Sequence, residues 1–297
     1  MKVFYSDRYT IPLPEGHRFP MEKYRLIRFA LLREGVVRDS ELQEPPLATR
    51  EQLLLAHSAE YVDAMCRGTV SPDVIRRIGF PWSEALVIRS LATVGGAIAA
   101  AESALHDGIS GNLAGGTHHA LRHSGEGYCV FNDLAVTALW LLKYRRVRRI
   151  AIIDLDVHQG NGNSDILRHR EDVFIFSMHG EKNYPFRKVP STLDVALPDG
   201  TDDQTFLDAL AAHLPKVFAF RPDLVLYQAG VDPLKEDTLG RLALSHDGLM
   251  QRDRLVLSEC RRRGIPVSLA LGGGYAKPID LTVDAHVGTY KVVREVF

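Results

Sequence analysis

Cysteine is scarce: Cys66, Cys129 and Cys260 are the only three in 297 residues, and none forms a CxxC knuckle. This rules out a disulfide framework, suits a reducing cytoplasm, and leaves any metal site to be built from His and carboxylates. Net charge is scarce too, since 36 Lys and Arg face 37 Asp and Glu for a formal charge of -1. No global attraction to nucleic acid or to an acidic membrane is expected. No apolar run approaches the roughly 18 residues of a membrane span. The N-terminal MKVFYSDRYT carries Asp7 and Arg8 where a secretion signal needs an uncharged stretch, so a cytoplasmic location is expected. No Ser/Gly/Pro-rich linker, low-complexity tract or internal repeat divides the chain, and residues 1–297 read as one domain. What is present, 45% apolar and 25% charged residues, is an ordinary soluble globular composition.

From about residue 110 short apolar runs alternate with longer amphipathic segments. The runs are Ile150–Leu155, Val173–Met178, Leu224–Ala229 and Val267–Leu271, preceded by one near Gly111–Ala114, and they show little in/out alternation. Strands apolar on both faces belong in a parallel sheet covered by helices. Helices are expected at Asn132–Tyr144, Asp202–Phe218 and Ser245–Arg263, and upstream at Glu22–Glu34 and Glu84–His106, with Thr49 and Gln52 as a capping box. The arginines at 261–263 precede Gly264, as cations at a helix C-terminus should. The fold class that follows is α/β, one central parallel sheet flanked by helices.

Ligands of such sheets bind beyond the carboxyl ends of the strands. Those ends carry GGTHHA with His118 and His119, DLDVHQGNG with Asp154, Asp156, His158 and Asn161, then Ser177 and His179, AGVDP with Asp232, and GGGY with Tyr275. Asp154, Asp156 and His158 lie two apart, which on an extended segment turns them to one side. Asp156 and His158 can then share a metal with Asp232, an Asp2His set with open positions. These ligands suit Zn²⁺ and leave Fe²⁺ and Mn²⁺ open. An Asp at a strand end also commonly caps the next helix. The paired histidines would be proton acceptor and donor beside a metal-bound water, each oriented by Asp154 or Asn161. The Tyr275 hydroxyl could face a developing oxyanion.

Together GGTHHA, GEGYCVFND, IIDLDVHQGNG, YQAGVD and LALGGGY, in this order and spacing, resemble the zinc-dependent histone deacetylases of the arginase/deacetylase fold. DVHQGNG and AGVDPLKEDTLGRLALSHDGLMQRD look most like class IV, the smallest members. The resemblance implies zinc on Asp156, His158 and Asp232, tandem histidines His118 and His119 with partners Asp154 and Asn161, and Tyr275 as electrophile. It also implies a substrate channel of Gly127, Tyr128, Tyr184, Leu239 and Gly273, and a structural K⁺ site using Asp154, Asp156, His158 and Ser177. The implied activity is hydrolysis of an acyl-lysine protein or peptide, or of a small acylated amine. Many family members carry Asp where this chain has Asn161.

Two other readings compete. An arginase-like ureohydrolase needs DxHxD and DxD motifs for two manganese ions, but Gly160 and Leu234 stand where the added carboxylates would be. A non-catalytic metal-binding scaffold would not need the acid/base residues. Among the remaining candidates, His57 is expected to pack or cap on a helical stretch, His17 to lie near the mouth, and Cys129 to be core. His106, His169, His213 and His286 read as surface, and Glu126, Asp133 and Glu181 as rim carboxylates.

Overall fold

The computed structural model describes residues 1–297. Its strands are β1 (Lys2–Phe4), β2 (Leu42–Gln43), β3 (Ile109–Asn112), β4 (Ile150–Asp154), β5 (Val173–Gly180), β6 (Leu193–Leu197), β7 (Leu224–Gln228) and β8 (Val267–Ala270). They form one sheet in the order β2-β1-β3-β8-β7-β4-β5-β6. Every neighbouring pair is parallel. Ten helices connect them: α1 (Lys23–Arg33), α2 (Arg50–Leu53), α3 (Ala59–Arg67), α4 (Pro72–Ile78), α5 (Glu84–Asp107), α6 (Asp133–Lys143), α7 (Asn161–Leu167), α8 (Asp203–Ala219), α9 (His246–Arg263) and α10 (Ile279–Val296).

The apolar runs earn their place at the sheet centre because both faces are covered. Along β4, Ile150 and Ile152 join one hydrophobic core while Ala151 and Ile153 join the other. β7 divides the same way, with Leu224 and Leu226 on one side and Val225 and Tyr227 on the other. Helix limits follow local chemistry. Asn132 caps α6 by accepting from the Ala135 N–H at 2.9 Å, Ser83 and Ser245 cap α5 and α9, and the latter two end on left-handed Gly108 and Gly264. Thr49 and Gln52 form the expected reciprocal cap.

Three expectations need correction. His57 lies in the turn between α2 and α3, not on a helix, where Nδ1 meets the Leu121 carbonyl and Nε2 accepts the Asn132 N–H. His286 is fully buried in α10, not on the surface. The apolar-run criterion also passes over α5, which is apolar enough to cross a membrane by length and composition. Its Gly/Ala-rich sequence serves core packing instead, for most of the helix is buried inside the protein.

Sequence pattern gave no hint of the clamp made by Arg252. This side chain is fully buried in α9, where Nη1 donates to the carbonyls of Leu155 and Gly230 and the guanidinium pairs with Asp253 at 2.8 Å. Asp253 also accepts from the Tyr227 hydroxyl and from Thr289 Oγ1 at 2.6 Å. The clamp thus joins the loop after β4 to the loop after β7. Arg252→Met strands Asp253 without its cation and is expected to cost about 3–5 kcal/mol of stability. An unchanged denaturant midpoint would show that the clamp contributes none.

Candidate active site

The loops at the carboxyl ends of β3, β4, β7 and β8 converge on one cavity of about 630 Å³. His118, His119, Asp156, His158 and Tyr275 line it, as do the channel residues Gly127, Tyr128, Tyr184, Leu239 and Gly273. Asp154, Asn161 and Asp232 stand behind this lining, buried.

Asp156, His158 and Asp232 are brought together with ligand atoms all within 4.8 Å of one another. The route differs from the extended segment expected. β4 ends at Asp154, and the chain then bends, with the Asp156 N–H donating to Asp154 Oδ1 and the His158 N–H to Asp156 Oδ1. Side-chain-to-backbone bonds of this kind compete with strand geometry. They leave His158 Nδ1 at 3.1 Å from Asp156 and 3.0 Å from Asp232. Asp154 turns away from the trio to His118.

The electrostatics of the trio are those of a cation site. Burial alone would depress the His158 imidazole, but Asp156 and Asp232 outweigh it and lift the group to about 10. Burial, then the charge of Asp156, raises Asp232 to about 7. A proton on His158 therefore occupies the place where two carboxylates call for a cation. Metal uptake near neutral pH is expected to release the proton on His158 and the share held by Asp232, so affinity should rise about tenfold or more per pH unit. Titration calorimetry in buffers of different ionisation enthalpy measures the release; a pH-independent affinity would refute it. Space is equally specific, since a Cβ on Gly273 would lie 1.8 Å from Asp232 Oδ2.

The tandem histidines are pushed in opposite directions. Burial lowers both, but the charges of Asp154 and Asp156 raise His118 overall, whose Nδ1 lies 2.7 Å from Asp154. His119 has no such carboxylate. Burial, with the neighbouring imidazoles, holds it well below the usual range. Its Nδ1–H donates to Asn161 Oδ1 at 2.7 Å, which fixes the tautomer and leaves Nε2 as a free base.

Two contributors beyond the sequence reading support this pair. Glu126 is half-buried, with Oε1 accepting from Asn161 Nδ2 at 2.7 Å, so the amide's oxygen faces His119. Gln228, inside the quoted YQAGVD, places its amide 2.8 Å from His118 Nδ1 and donates to Asp156 at 3.4 Å. Asp133 is not at the rim either. It is fully buried at the start of α6, accepting from the N–H groups of Gly116 and Thr117 to hold the GGTHHA loop. Glu181 is exposed, and His179 lies within β5 against Ser177, outside the cavity. Ser177 pairs with Asp154 in the β4–β5 register, yet nothing observed supports a potassium ion there.

The channel is aromatic. Tyr184 meets His119 edge-on with ring centres 4.9 Å apart, and Tyr128 faces Phe80 and Phe19 at 5.2 and 5.1 Å. Tyr128 takes a left-handed φ of 65°, held by its N–H to the Ile78 carbonyl and that of Gly127 to Arg77. His17 does not line the cavity; it packs behind the wall, 5.9 Å from the rings of Phe80 and Tyr128 and 2.9 Å from the Gly79 carbonyl, whereas Cys129 is buried, as expected. Lys23 is buried behind Tyr275, its Nζ 5.0 Å from that ring and near the carbonyls of Gly272 and Gly274. His286 packs beneath the same turn.

Comparison with known proteins agrees with this geometry. An uncharacterised protein of Picosynechococcus sp. is 46% identical over 296 residues, covering 99% of each chain. Histone deacetylase 2 of Arabidopsis thaliana is 31% identical over 292 residues, 93% of this chain and 75% of that one. The crystal structure of a histone deacetylase homologue from Aquifex aeolicus matches with a TM-score of 0.83 at 26% identity, covering 99% of this chain and 83% of the other. The model of the histone deacetylase domain spans residues 17–289, and the chain belongs to that family.

Proposed function

We propose that this chain hydrolyses the amide of an N-acyl-lysine or a related acylated amine, with Asp156, His158 and Asp232 holding one divalent metal, zinc by the chemistry of the donors. The observation that carries this reading is the opposed pair His118 and His119 beside a buried Asp2His trio in one cavity. When bound, the metal would polarise the acyl carbonyl and lower the pKa of a water toward about 7.

The protein's own groups supply the rest. His119, neutral with Nε2 free, accepts the water's proton and later returns one to the leaving amine. His118, whose protonated form Asp154 and Asp156 favour, stabilises negative charge developing beside it. Tyr275 donates its hydroxyl to the oxyanion. The walls formed by Tyr128 and Tyr184 suit an unbranched alkyl stem. A guanidinium is always charged, and its desolvation between aromatic walls without a paired carboxylate is costly, which disfavours arginine.

The test is a screen of peptides carrying acetyl-lysine through long-chain acyl-lysine, together with acylated polyamines, with metal analysis on the same preparation. Amide hydrolysis by metal-loaded protein, without urea release from arginine or agmatine, is expected. Urea production without any amidase activity would assign the chain to ureohydrolysis instead.

A further inference from the structure

Five cations ring the mouth of the cavity: Arg18, Arg76, Arg77, Lys182 and Arg241. All five are exposed, and the only carboxylate residue lining the same cavity is Asp156, in the metal trio. In a chain of net charge -1 this is a segregation of sign, not a bulk excess. Local partners remove part of it, for Arg76 pairs with Asp73, while Lys182 and Arg241 share Asp199 at 3.9 and 3.3 Å. Arg18 and Arg77 form no ion pair. The last turn of α4 favours cations and accounts for Arg76 and Arg77. It does not account for the others, which arrive from the loops after β1, β5 and β7.

Arg77 is tied to the channel wall, its carbonyl accepting the Gly127 N–H at 2.9 Å. Phe186, 88% exposed, adds an apolar platform at the same mouth. Acylation removes the charge of a lysine, so discrimination by charge falls to the groups that remain outside the channel. A cleft lined by one sign concentrates ligands of the opposite sign and speeds their encounter.

We propose that the mouth selects an acyl-lysine flanked by acidic residues, an anionic peptide segment, over a basic tail or an acylated polyamine that keeps its other ammonium groups. The proposal rests on the amide-hydrolase reading for turnover, and its test includes a binding measurement that does not. Three peptides with one acetyl-lysine and Asp, Ala or Arg flanks, and N-acetylspermidine, are compared by kcat/KM. The measurements use about 0.01 M and about 1 M salt, where the Debye lengths are about 30 and 3 Å. The acidic peptide is expected to exceed the basic one by about tenfold at low salt, with the gap closing at high salt. The Arg18→Glu and Arg77→Glu double variant should erase or invert the order. Anisotropy of the labelled peptides should show the same ranking in binding. Acidic selectivity in binding without hydrolysis would overturn the hydrolase reading and keep this one. Equal handling of acidic and basic ligands, or a ranking unchanged in the double variant, would overturn this one and leave hydrolysis standing.

Discussion

With Asp232 and His158 both replaced by alanine, the protein is expected to bind no metal and to lose turnover by about 10³-fold or more, since Lewis-acid stabilisation is worth several kcal/mol. Both side chains are buried, and they supply two of the three ligands within 4.8 Å of one another. Asp156 alone cannot keep an ion against bulk water. Elemental analysis should find one equivalent in the wild type and none in the variant. Two equivalents in the wild type, or undiminished metal in the variant, would sink the assignment.

The structure explains why one ion is expected and not the two of a ureohydrolase. Even a Cβ at Gly160 would come within 2.4 Å of Asp154 Oδ2, so the carboxylate of a DxHxD motif has no room there. Leu234 is buried in the hydrophobic core, where a second DxD carboxylate would need its own cation.

What was legible in the sequence is what lies on or next to a buried strand. β4 and β7 are apolar on both faces, and their ends mark where Asp154, Asp156, His158 and Asp232 lie, although the chain bends after Asp154 instead of running extended through His158. The strands at and next to the sheet edges escaped because β1 has three residues, β2 has two, and β6 is half exposed. They exist through pairing with neighbours, which periodicity does not record. The helix α7 opens with Asn, Gly and Asn, poor helix formers, and was hidden for that reason. Charged residues proved the least legible. Asp133 reads as a rim carboxylate and Arg252 draws no reading at all, because burial of a charge is decided by partners far away in sequence, here Gly116 and Thr117 for one and Leu155 and Gly230 for the other. Glu126 acts through Asn161 across 35 residues.

Tyr275→Phe is expected to lower kcat by about 10² to 10³-fold while leaving the fold and the metal content intact. The ring is placed without help from its hydroxyl. Phe19 and Tyr128 pack at 6.2 Å between ring centres, the Tyr275 N–H donates to Asp237 at 2.6 Å, and its carbonyl accepts from Thr238 at 2.8 Å. Phenylalanine keeps each of these contacts and deletes one donor. Burial, then the charges of Asp232 and Asp156, raises the phenol well above its ordinary value, so it remains protonated and able to donate throughout the working pH range. A donor aimed where charge appears only in the transition state acts on kcat more than on KM, and loss of one such donor has the magnitude given. The measurement is kcat at saturating acyl-lysine peptide, normalised to metal content. Turnover near the wild-type value would remove the electrophile role from Tyr275 and leave the oxyanion to the metal and His118.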